Sequence, residues 1–300
     1  MNQIPGKILK VGVLGLGAMG SAIAETLISK GYEVHAYNRT KEKARPVQEK
    51  GAIVHETPAS LASMVDVLIT SLKDEHAVDQ LAHGKDGFLS SMEKDGLWIE
   101  TGTVDPDAFV ALARESRRLG INTLEVPIVG NQDMVKQQKV VLLVGGEKEL
   151  FQKYEKFLLE LSNKILYVGP EGYGLKMKLV INLYLGLIAE SFSEVFVLSE
   201  KLGFNSETFV NILNQTAHKN YFSEAKGPKL ATHDFSPLFS LENLLKDLKL
   251  AKSQADKVGS VLPVSNLVTE EFARAVAHGD GKKDFSAIVL EIKRLNGLNV

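Results

Sequence analysis

The 300-residue sequence contains no cysteine. Disulfides, thiolate metal sites and cysteine nucleophiles are therefore excluded, and the composition suits a reducing compartment; the chain is expected to be cytoplasmic. A G-x-S-x-G elbow is also missing, and the seven histidines show no H-x-x-x-H or H-x-x-E-H spacing. Serine-hydrolase and metal readings thus lack a motif, and no metal is expected. Charge of one sign is missing too. Lys and Arg number 35 against 37 Asp and Glu, a net charge of −2, which gives no electrostatic case for nucleic acid or an anionic membrane. Lys7 and Lys10 before an apolar stretch mimic a signal peptide, but four glycines inside it point elsewhere, and no lipidation or retention signal is expected at either end.

The apolar fraction is 44%, ample for real cores, and the length suggests roughly two domains. Residues 7–14 (KILKVGVL) read as a buried strand, and residues 21–30 as a helix closed by Gly31. Between them lie Gly15, Leu16, Gly17, Ala18, Met19 and Gly20, a G-x-G-x-x-G in the strand–turn–helix context that dinucleotide binding requires. Gly15 makes the turn, Gly17 lets backbone approach a pyrophosphate, and Gly20 lets helix pack on strand. The second strand, residues 33–37, ends in Asn38, Arg39 and Thr40 where an NAD enzyme keeps an acid for the ribose. Asn and Thr donate to a 2′-phosphate and Arg39 pairs with it, which favours NADP (NADPH) over NAD. Lys41 and Arg45 read as a solvated charge run.

Further strands are expected at 65–72, 96–101, 122–127 and 140–145, with helices between several of them. This alternation predicts an α/β Rossmann domain over 1–170. Ligands bind beyond the carboxyl ends of such strands, where Ser71, Leu72, Lys73 and Thr103 lie, together with residues 127–131. After Pro170 the alternation stops, and residues 171–300 read as an all-α domain, entered through a long helix over 172–202. Only Asn182 is frankly polar between 179 and 189, so this helix is expected to be buried nearly all round. It is not read as a membrane span, because the apolar run is too short and Glu190 and Glu194 interrupt it.

Lys178 and Asn182 fall four apart near the start of that helix, on one face. A bound nicotinamide implies hydride transfer, and the carbonyl oxygen that gains charge then needs a proton. The Lys178 ammonium suits that task, with burial and Lys176 expected to lower its pKa. Asn182 would orient it or bind the substrate oxygen. The plainer alternative is a lysine that caps the helix or reaches solvent. Lys246 and Asp247 are most simply a polar helix face, and Phe239, seven residues earlier, could cover the nicotinamide.

Together these residues resemble the β-hydroxyacid dehydrogenase family (3-hydroxyisobutyrate dehydrogenase-like), with the nearest likeness to its glyoxylate and succinic semialdehyde reductases. The likeness rests on VGVLGLGAMG at 11–20, Asn38-Arg39-Thr40, GTVDP at 102–106 and Gly172-Tyr173-Gly174 through Lys178 and Asn182. Lys246-Asp247-Leu248 and Ser286-Ala287 add to it. The resemblance implies a homodimer or homotetramer, Lys178 as the catalytic acid, and a substrate held by Thr103, Gly130, Asn131 and Lys246, with Lys246 also contacting the cofactor. Val129 stands where the family has a carboxylate-binding serine, Lys139-Val140-Val141 replaces Gly-Thr-Leu, and Gly102 replaces a serine. A lost charge-assisted hydrogen bond is worth about 1.5–3 kcal/mol, so a less polar carbonyl or an imine also fits. The leading expectation is an NADPH-dependent reductase of small aldehydes or oxo acids. The alternatives are an oxidative 3-hydroxyisobutyrate-type dehydrogenase and an NADP-binding module with little catalysis.

Overall fold

The computed structural model describes residues 3–4 and 7–300. The chain divides into two compact units, Met1–Lys178 and Leu179–Val300. The first is a Rossmann-type unit. Among the described residues, nine strands form one sheet, and the segment expected as a strand over 7–14 is two. Lys7–Ile8 pairs antiparallel with Gln3–Ile4, and Lys10–Leu14 enters the sheet. There it lies between Glu33–Tyr37 and Val67–Thr70, parallel to both. Beyond Val67–Thr70 come Leu97–Glu100 and Asn122–Glu125, also parallel. Val141–Gly146 then runs antiparallel to Asn122–Glu125, and Lys164–Gly169 closes that edge. The chain reverses direction across the sheet at Lys10–Leu14, so its carboxyl end is the switch point where such sheets take ligands.

The central strands are buried on both faces: Val67–Thr70 and Leu97–Glu100 are buried at every position. Val11, Val13, Ile69 and Ile99 belong to one core, and Leu14, Leu68, Trp98 and Phe109 to another on the opposite face. Alternation of side chains across a strand builds both from the same sequence.

The second unit is helical, with a core of its own around Phe192, Phe196, Phe222, Phe272 and Phe285. The long helix spans Tyr173–Lys201, 29 residues. By length and composition alone it would suffice to cross a membrane. It is not buried all round, contrary to the sequence reading. Ala189, Phe192, Phe196 and Val197 enter the second core, whereas Val180, Tyr184, Val195 and Leu198 are exposed on another face. The apolar run at 179–189 conceals the exposure of Val180 and Tyr184, because periodicity shows only where polar residues interrupt it.

Candidate active site

In the first unit the glycine-rich turn is fixed from both sides. The Gly15 N–H donates to the Tyr37 carbonyl at 3.0 Å, and the Leu16 N–H donates to Oδ1 of Asn38 at 2.9 Å. Asn38 donates in turn to the Thr40 carbonyl at 2.8 Å. Asn38 therefore braces the turn, a role that the sequence reading, which had it as a phosphate donor, did not foresee. Gly15 has φ +94°, and a Cβ on it would collide with the Ser71 carbonyl; a Cβ on Gly20 would collide with the Gly15 carbonyl. The fold demands both glycines. Gly17 differs, with φ −72° and nothing within 4 Å of a Cβ built there. Among the described residues none crowds a Cβ at 17, and the open backbone leaves room for a ligand to approach. The Ala18–Ser29 helix also begins without a side-chain cap, leaving its first N–H groups for an anion. Ala18 is exposed and Met19 half-buried.

Arg39 and Thr40 are exposed, and Arg39 has no ion pair among the described residues. Its basic neighbours differ: Lys41 pairs with Glu56, and Arg45 reaches Glu49 at 4.0 Å. The glycine turn and the uncapped helix start together fit the pyrophosphate of a nicotinamide dinucleotide. Ser71 and Leu72 are half-buried and Lys73 exposed at the end of the neighbouring strand.

Thr103 is half-buried just beyond the Leu97–Glu100 strand. Behind it lies a buried chain: Trp98 Nε1 donates to Thr70 Oγ1 at 2.8 Å, Thr70 donates to Glu100 Oε2 at 2.7 Å, and Glu100 Oε1 accepts the Gly102 N–H at 2.6 Å. A Cβ at 102 would lie 2.7 Å from that oxygen and from the Leu72 carbonyl. The glycine that replaces a family serine is thus required by its neighbours here.

Val129 pairs with Val141 across a short antiparallel ladder formed by Ile128–Val129 and the Val141–Gly146 strand. Two departures from the family pattern therefore face one another, a β-branched pair where a hydroxyl is usual. Gly130 is exposed, and Asn131 caps the Gln132–Lys136 helix, its Oδ1 accepting from the N–H groups of Asp133 and Met134 at 3.1 and 3.0 Å.

Glu125, fully buried, ends the next strand. Its Oε2 accepts the Gly172 N–H at 2.8 Å, and its Oε1 accepts those of Gly174 and Leu175 at 2.6 and 3.3 Å. Burial pushes its carboxyl up to about 7, against the pull of those three donors. Lys178 follows on the same helix and is 8% exposed, so it does not simply reach solvent.

In the second unit, Asn182 is 3% exposed and Asp247 1%. Asn182 Nδ2 donates to Asp247 Oδ2 at 2.6 Å, and Lys246 Nζ lies 2.8 Å from Asp247 Oδ1. Asp247 is therefore the hub that joins an amide to an ammonium, not part of a solvated helix face. Its spacing with Leu244, Leu248 and Ala251 on Leu241–Lys257 marks the inward face, and that signal was present in the sequence. Phe239 is half-buried against the second core, its ring centroid 6.1 Å from that of Phe285. The adjoining backbone is tied to buried Asp284, which pairs with buried Lys226 at 2.8 Å and accepts the Leu238 N–H at 3.1 Å.

Comparison with known proteins agrees with both halves. Residues 10–169 match the model of the NAD-binding domain of 6-phosphogluconate dehydrogenase. Residues 172–292 match that of the NAD-binding domain of NADP-dependent 3-hydroxyisobutyrate dehydrogenase. Glyoxylate/succinic semialdehyde reductase 1 of Arabidopsis thaliana is 32% identical, over 95% of this chain and 99% of its own. The 2-(hydroxymethyl)glutarate dehydrogenase of Eubacterium barkeri is 30% identical over 98% of each chain. Among solved structures, a 3-hydroxyisobutyrate dehydrogenase from Salmonella typhimurium superposes with a TM-score of 0.86 at 20% identity, over 94% of this chain and 99% of that one. A glycine-rich turn at the switch point of a Rossmann sheet, followed by a helical unit, agrees with these matches, which mark this chain as an NAD(P)-dependent oxidoreductase that belongs to the 3-hydroxyisobutyrate dehydrogenase-like branch of the β-hydroxyacid dehydrogenase family.

Proposed function

We propose that the protein is an NADPH-dependent reductase of small aldehydes or oxo acids, of the glyoxylate and succinic semialdehyde class, with Lys178 as the general acid. The observation that carries this is the buried lysine on a helix whose next turn presents Asn182, itself held by Asp247. Bound NADPH supplies the hydride. Lys178 holds the proton at Nζ and delivers it to the carbonyl oxygen as charge develops there. Asn182 and Lys246 bind substrate oxygen, and Asp247 fixes both. Thr103 and the N–H groups of Gly130 and Asn131 hold the carboxylate.

The 2′-phosphate preference is supported by Arg39, which is exposed and has no ion pair among the described residues. The relative from Arabidopsis thaliana is named for the proposed substrates. A second reading draws support from Val129, whose side chain has no hydroxyl for a carboxylate, and turns the site toward neutral carbonyls or imines. The test is oxidation of NADPH against glyoxylate, succinic semialdehyde, methylglyoxal, a neutral aldehyde and a cyclic imine. The first reading expects the acid-aldehydes to turn over fastest; turnover confined to the neutral compounds would replace it with the second. A homo-oligomer is part of the same proposal, supported by the exposed apolar face of Val180, Tyr184, Val195 and Leu198. Light scattering of the eluted protein reads that directly.

A further inference from the structure

The Tyr173–Lys201 helix has no acidic residue in its own first turn. The negative charge that would answer its N-terminal pole comes instead from another element, Glu125. The carboxylate reaches the N–H groups of Gly172, Gly174 and Leu175 within 3.3 Å. Space for it is cleared by glycine: a Cβ at Gly145 would collide with Oε1, and one at Gly174 would lie 3.1 Å away. Gly145 is also its register partner across the sheet on one side, and Glu100 on the other. Glu171, at the approach to the helix, is answered by Arg117, whose Nη2 donates to Oε2 at 2.8 Å. Lys176 points to solvent, its Nζ 5.5 Å from the Tyr173 ring centroid. Lys178 comes three residues after Leu175, about 4.5 Å further along the helix axis at 1.5 Å per residue.

We propose that Glu125 is a positioning residue for Lys178: its carboxylate anchors the first turn of the lysine's helix and offsets the positive pole beneath the ammonium. This rests on the reading of Lys178 as proton donor. The ionised form accepts all three N–H groups, and an amide at the same place would accept on one atom only and turn its NH₂ toward a donor. With a neutral residue the ammonium would face an unanswered helix pole and release its proton at lower pH.

The test follows the titration of Lys178 by NMR, in protein whose lysines carry carbon-13 at Cε, with Lys178→Arg assigning the signal. In Glu125→Gln the Lys178 midpoint should fall by about half a pH unit or more. The same variant should lose about tenfold or more in kcat while NADPH affinity stays within about twofold. Glu125→Asp, which keeps the charge, should return the midpoint toward that of the unaltered protein. A Glu125→Gln protein that melts earlier but titrates at the original midpoint would overturn the proposal and leave only a structural cap. If Glu125→Gln does not fold, Gly174→Ala crowds the same carboxylate and should move the midpoint in the same direction; no movement there overturns the proposal equally. Because the midpoint is read without turnover, a fully active Lys178→Ala enzyme would sink the proton-donor reading separately.

Discussion

Arg39 is the side chain on which the proposed choice between two cofactors rests. It lies exposed beyond the Glu33–Tyr37 strand and has no ion pair among the described residues, while Lys41 and Arg45 are paired with Glu56 and Glu49. Arg39→Ala should weaken NADPH binding about 10–100-fold and leave NADH little changed, the loss of one charge-assisted contact. Titration of each reduced cofactor by fluorescence reads this, and equal losses for both would remove the 2′-phosphate from the account. The sequence alone pointed to Arg39, because a missing acid is visible as a letter. It did not reveal that Asn38 braces the turn, since that depends on a bond between residues 22 positions apart. Asp247 was similarly misjudged as part of a polar face. Neighbouring Lys246 made the pair look solvated, although the spacing of Leu244, Asp247, Leu248 and Ala251 already placed the carboxylate inward.

Among the elements, the strand–turn–helix at 10–29 was legible because its glycines, its apolar strand and its helical period agree. Its three motif glycines do different work, and substitution should separate them. Gly20→Ala puts a methyl group against the Gly15 carbonyl and should cost about 1–3 kcal/mol of stability. Gly17→Ala meets open space and should leave stability within about 0.5 kcal/mol while weakening NADPH about tenfold or more. Urea unfolding and cofactor titration of the two variants check this together; a Gly17→Ala protein that binds NADPH normally would contradict the ligand explanation. The elements that escaped the sequence reading are short or lie at an edge. Ile53–Val54 and Ile128–Val129 have two residues each, too few for a period, and Lys164–Gly169 is half-exposed at the margin of the sheet. The exposure of Val180 and Tyr184 on the long helix was hidden by the uniform apolarity of residues 179–189.

The first unit has a core on each face of its sheet, and the second has one core and encloses an acid that the chemistry does not use. Glu190 is buried, with Oε2 lacking a hydrogen-bond partner among the described residues. Burial and the nearby Glu271 and Glu194 push its carboxyl up to about 8. The folded protein therefore keeps this proton up to about pH 8, whereas the unfolded chain releases it near its ordinary value of 4.5. Folded protein binds more protons across that window, so this group makes stability fall as pH rises from about 4.5 to about 8. Glu190→Gln should flatten the trend and raise stability at about pH 8 by about 1–3 kcal/mol. Urea unfolding at about pH 5 and about pH 8 measures it, and an unchanged slope would contradict the assignment. The division into a Rossmann half and a helical half could be read from the alternation of patterns and its end near Pro170. Which carboxylates are buried could not, because burial of Glu100, Glu125 and Glu190 depends on contacts that no local window contains.

If Lys178 gives up the proton that completes carbonyl reduction, as proposed, its removal slows NADPH oxidation without loosening the cofactor. The most direct measurement is single-turnover oxidation of bound NADPH by glyoxylate and by succinic semialdehyde, for the unaltered protein beside Lys178→Ala, with NADPH affinity measured in parallel. The account predicts a rate about 10²–10⁴-fold lower in the variant with cofactor affinity retained. A Lys178→Ala enzyme that oxidises NADPH as fast as the original would contradict it and move the proton donor to another residue.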